Sequence, residues 1–173
     1  MKERYIRAMA GLHWFCIFVS SACLAILVII VPWGVFTRYV LGFGSKWPEP
    51  MAVLLMIIFS FFSAAACYRD NLHIAVMAIP DMMPGQARTL MGWTAEIGMI
   101  VTNLFVVIWG YELVEGMMHQ VLAEFPMVPV GLTYLPVPIG GAITTLFIIE
   151  RMWTGAFFAA IDEATVGRGT TTE

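Results

Sequence analysis

The sequence predicts an all-α integral membrane protein with four transmembrane helices. Three observations carry that reading. Four stretches, 14–37, 50–68, 90–111 and 125–149, are free of charge except for Glu96; the chain is 60% hydrophobic and 12% charged; and its mean hydropathy is +0.84. Each stretch has about 19 residues or more, the length that a hydrocarbon core roughly 30 Å thick demands of an α-helix. A soluble domain carries about 25% charged residues, whereas here the charge is confined to the gaps. The connections are short within 173 residues. The expected organisation is a single four-helix membrane domain over 1–173, one compact bundle with spans near 13–36, 49–68, 90–112 and 134–154.

The first segment opens on Lys2, Arg4 and Arg7, a basic start like that of a signal peptide, but its apolar run is too long for a cleavable one and no small-x-small site closes it. It is read as a retained first helix. The second opens with Trp47-Pro48-Glu49, where proline suits a first turn and an acid suits the positive end of the helix dipole. Ser60 and Ala64, four residues apart on that helix, are small enough to let backbones approach closely. The third carries Gly92, Glu96, Met99, Asn103 and Gly110 on one face. A polar seam of Glu96 and Asn103 is costly in lipid, so that face is expected to look into the bundle or at a partner. Pro126, Pro129, Pro136 and Pro138 crowd the approach to the fourth helix, which is expected to begin near 134–138. Between helices two and three, 72–84 is apolar but too short and too rich in proline to span, and is predicted to lie along the membrane surface.

Lys and Arg in the short flanks set orientation. Lys2, Arg4, Arg7, Arg69, Arg88, Arg151 and Arg168 cluster at the termini and the second connection, while the third connection has Glu112, Glu115, His119 and Glu124 without a basic residue. Both termini are therefore expected in the cytoplasm, although Arg38 and Lys46 in the first connection weaken the asymmetry.

Catalytic and cofactor chemistry finds little support. Cys16, Cys23 and Cys67 form no C-x-x-C pair. A haem-bearing anchor needs two histidines at one depth on facing helices, and His13, His73 and His119 fall at different depths. No Ser/His/Asp set, phosphate-binding glycine loop or H-E-x-x-H motif is present. Repeated halves and midplane polar sites, the marks of a carrier acting alone, are missing as well. No catalytic, substrate-binding or metal residue is assigned, no cofactor is expected, and nothing points to nucleic acid. An accessory membrane subunit is the remaining class, with a membrane anchor of a redox enzyme complex as the alternative.

Residues 33–41 (WGVFTRYVL), Trp47-Pro48-Glu49, 64–76 (AAACYRDNLHIAV) and 134–140 (YLPVPIG) together resemble, in order and spacing, the small membrane subunit (DctQ-like) of TRAP transporters, the tripartite ATP-independent periplasmic carriers. The resemblance covers almost the whole chain. It implies an inner-membrane subunit paired with a large permease that holds the substrate and sodium sites and works as an elevator. It also implies a periplasmic substrate-binding protein that delivers a carboxylate or other organic acid for sodium-driven uptake. By the same resemblance, Arg38, Tyr39, Glu49, Arg69 and His73 occupy family positions, and they join Ser60 and Ala64 as candidates for structural or partner contacts. Membrane lipids are the remaining expected partner. The chain departs from the family pattern at Pro50, where a second acid is common, and at Met77, where an aspartate is common.

Overall fold

The computed structural model describes residues 2–42, 46–70, 85–121 and 129–154. Their helices are α1 (Lys2–Tyr39), α2 (Pro48–Arg69), α3 (Gly85–Met117), α4 (Val130–Tyr134) and α5 (Pro136–Thr154). Four helical segments are long and apolar enough to cross a membrane, with α4 and α5 together forming the last. No strand occurs among the described residues; Val121 and Pro129 form an isolated antiparallel bridge. The surface segment expected at 72–84 lies outside the described residues.

Several helix ends lie outside the expected spans, and two of them share one reason. α1 begins at Lys2, eleven positions before 13, and α3 continues to Met117 rather than 112. Hydropathy marks where a helix crosses hydrocarbon, whereas Lys, Arg, Glu and Met are good helix formers that carry the helix on into water. At 38 residues α1 would extend about 57 Å, well beyond a 30 Å core. α5 begins at Pro136, within the expected window, and its missing N–H costs nothing in a first turn.

The helices stand in a row rather than a closed ring. α1 packs on α2, α2 on α5 and α5 on α3, while the outer helices α1 and α3 make no substantial contact. α5 is the most buried span and α3 the least. Adjacent glycines explain the central place of α5. A Cβ on Gly140 would meet Phe61 Cβ of α2 at 2.7 Å, and one on Gly141 would meet Val107 Cγ2 of α3 at 3.0 Å. Consecutive helix positions point about 100° apart, so this pair lets both neighbours close in. The core spans these contacts: Cys16, Phe62, Ala65, Ala66, Ile143, Phe147 and Ile148 form one cluster, and Cys23, Leu27 and Leu55 another between α1 and α2.

Candidate functional site

α2 ends on Tyr68-Arg69, and α5 nears its end on Glu150-Arg151. The two dipeptides interlock. Arg69 Nε donates to Glu150 Oε2 at 3.2 Å and its Nη2 to Glu150 Oε1 at 3.4 Å, a two-pronged pair whose side chains are 2% and 0% exposed. Arg151 turns the other way: its Nη2 donates to the Tyr68 carbonyl at 2.9 Å and its guanidinium lies 4.6 Å from the Tyr68 ring centre. Glu96 of α3 completes the group, with Oε1 3.7 Å from Arg151 Nη1 and Oε2 accepting the Tyr68 hydroxyl. α1 joins through His13, whose Nε2 is 3.0 Å from Asp70 Oδ1. The two atoms are in close contact without a hydrogen bond between them.

All four long helices thus meet in one polar knot. Among the described residues its two guanidiniums stand against two buried carboxylates, as a low-dielectric interior favours. The bidentate geometry matches the planar guanidinium fork. Ionic contacts of this kind are directional, so they fix the axial register of helices whose apolar surfaces alone would let them slide. Among the described residues the buried charges pair off, and the chemistry of the arrangement is that of a clasp.

The remaining predicted positions scatter. Asn103 is half-buried, and its Nδ2 donates to the Met99 carbonyl of its own helix at 2.9 Å, so it does not bridge helices. It lines a small cleft of about 130 Å³ with Phe61, Ala64, Tyr68, Met99 and Thr144. Ser60 and Ala64 are exposed on α2. Arg38 and Tyr39 at the end of α1 and Glu49 at the start of α2 line a groove at the opposite end of the molecule from the knot. His73 lies outside the described residues. Sequence reasoning named Arg69 and Glu96 but missed Tyr68, Glu150 and Arg151 as their partners. A charged dipeptide inside the apolar continuation of the last helix, facing another at the end of α2, was the available signal. Among the described residues no cluster of His, Cys, Asp or Glu could hold a metal ion.

Four helices of spanning length tied by a buried ionic clasp define an all-α, multi-pass membrane protein. Residues 10–158 match the tripartite ATP-independent periplasmic transporters, DctQ component, and the chain belongs to that family, whose members are transporter components of the inner membrane. It is 23% identical over 139 residues to the sialic acid TRAP transporter small permease protein SiaQ of Vibrio cholerae, a match covering 78% of each chain. It is 25% identical over 141 residues to a putative TRAP transporter small permease protein of Haemophilus influenzae, covering 78% of this chain and 83% of that one. The chain is a small permease subunit of a TRAP transporter.

Proposed function

We propose that this subunit is the static brace of a sodium-driven carrier for an organic acid. In this reading its partners are a large permease, which holds the substrate and sodium sites, and a periplasmic protein that delivers the substrate. The observation that carries the reading is the contrast within the row: its helices are clasped by buried charge at one end, yet broad apolar faces stay uncovered. On α3, Trp93, Ile97, Leu104, Phe105 and Trp109 are all exposed, and on α2 so are the small Ser60 and Ala64. A mobile domain can slide only against a frame that resists it, and a row with fixed register supplies stiffness and a wide contact face together. The Vibrio relative is named for sialic acid, a carboxylic acid, which supports the substrate class. The basic flanks support a cytoplasmic side for both termini and, with them, for the knot.

Reconstitution tests the reading. Liposomes with this chain alone should take up no organic acid. Adding the large permease and binding protein should give sodium-dependent uptake, and omitting this chain should abolish it. Ala64→Leu should lower co-purification with the large subunit, since overpacking a tight contact costs roughly 1 to 3 kcal/mol; an Ile26→Leu control on α1 should be silent. Uptake by the lone subunit, or full uptake without it, overturns the brace. Cysteine labels near position 3 should react from the cytoplasm and labels near 119 from the periplasm; the reverse pattern overturns the orientation.

A further inference from the structure

A groove of about 360 Å³ runs between the second half of α1 and the first half of α2. Its walls are apolar: Ile30, Val31 and Val35 on one side, Ala52, Val53 and Met56 on the other. Its rim is charged, with Arg38 and Glu49 both lining it. These opposite charges share one concavity, yet neither enters an ion pair among the described residues. Each is instead favoured by its own helix, since Arg38 stands in the last turn of α1 and Glu49 in the first turn of α2. The rim therefore offers a separated cation and anion to a ligand that carries both.

The depth is informative as well. From Arg38 to Ile30, and from Glu49 to Met56, the groove descends about 10 to 12 Å at 1.5 Å per residue, close to the roughly 15 Å of hydrocarbon in one leaflet. Gly34 narrows the top, because a Cβ there would meet Pro48 Cβ at 3.1 Å. An apolar slot one leaflet deep, capped by a cation and an anion, has the profile of a single phospholipid. We propose that this groove binds phosphatidylethanolamine, with the phosphate on Arg38, the primary ammonium on Glu49 and one acyl chain between α1 and α2. Tyr39, 77% exposed beside Arg38, stands where an amphipathic ring meets headgroups. The bound lipid belongs to the periplasmic leaflet, a placement that rests on the orientation proposed above; the binding itself does not rest on it.

Native mass spectrometry of the full chain, stripped of lipid in mild detergent and offered equal amounts of phosphatidylethanolamine, phosphatidylglycerol and phosphatidylcholine, tests the proposal. One phosphatidylethanolamine should be retained in preference to the other two. Arg38→Gln should reduce retention of all three by about tenfold, the scale of one lost charge-assisted hydrogen bond. Glu49→Gln should keep phospholipid binding and erase the headgroup preference, because of the three headgroups only that of phosphatidylethanolamine offers a carboxylate a cation that also donates hydrogen bonds. Val53→Trp, which fills the slot and leaves both charges in place, should also abolish retention, and unchanged helical circular dichroism verifies that each variant is folded. Equal retention of the three headgroups by the unaltered chain marks annular lipid only and overturns the site. So does retention that is undiminished in folded Arg38→Gln or Val53→Trp protein.

Discussion

The two ends of this molecule use the same residue types in opposite ways. At one end Arg69, Arg151, Glu96 and Glu150 are buried and engage one another across three helices. At the other, Arg38 and Glu49 are exposed and stay apart. The difference follows from position along the helices. Arg69 and Glu150 sit where α2 and α5 are in close contact, so desolvation forces them to pair. Arg38 and Glu49 stand at the ends of their helices, where water or headgroups can solvate each of them. The buried end therefore belongs to folding and the exposed end to recognition, and substitutions at the two ends should separate along that line.

The sharpest way to break the comparison is to unpair the clasp. Glu150→Ala should remove the two-pronged partner of the buried Arg69 guanidinium and cost about 3 kcal/mol, the scale of breaking a buried ion pair. Thermal melting in detergent should show a large drop or loss of folded protein. The double variant Arg69→Met with Glu150→Leu should recover most of that loss, since an apolar pair of similar volume can replace a buried ion pair at little cost. If the single substitution is mild, the knot is wetter than its burial states. If the double variant is as damaged as the single, the pair does more than satisfy charge, and its directional hold on helix register becomes the leading account.

Next in size is the steric junction that lets the clasp close. Gly140→Ala would set a methyl group 2.7 Å from Phe61 Cβ, and α2 and α5 would have to part. Overpacking of this kind costs about 1 to 3 kcal/mol. The melting midpoint should fall by less than in Glu150→Ala, and Arg69 should become more accessible to guanidine-directed reagents. An unchanged midpoint would mean that α2 can shift without loosening the clasp.

Much of this was legible from sequence, and what was not has a physical reason. Helix number and class follow from the lengths of the apolar stretches, because the bilayer imposes them. Glu96 was named because charge inside a span is costly, and Arg69 because it occupies a position of the family pattern. Their partners were not, because Arg69 and Glu150 are 81 residues apart and nothing local encodes inter-helix register. Asn103 shows the converse: its side chain faces inward as the seam suggests, yet its hydrogen bond returns to Met99 on the same helix, a choice that periodicity cannot reveal. The row was equally hidden. In a membrane the lipid-facing side is as apolar as the packed side, so the pattern does not say which faces touch; only the paired glycines at 140 and 141 hint that one helix has two close neighbours.

The smallest expected effect is the other half of the comparison. Arg38→Gln removes an exposed charge that holds no ion pair among the described residues, so the stability of lipid-stripped protein should move by no more than about 0.5 kcal/mol, the usual range for surface substitutions. The measurement that gives this weight is the same melt repeated with added phosphatidylethanolamine. A ligand that binds only the folded state raises its stability by mass action. The unaltered chain should therefore gain melting temperature on lipid addition, and Arg38→Gln should gain little, whereas a Gly140→Ala protein, damaged at the far end, should start lower and still gain as much as the unaltered chain. If Arg38→Gln already destabilises the stripped protein as much as Gly140→Ala does, then Arg38 is a folding residue and the division between the two ends fails.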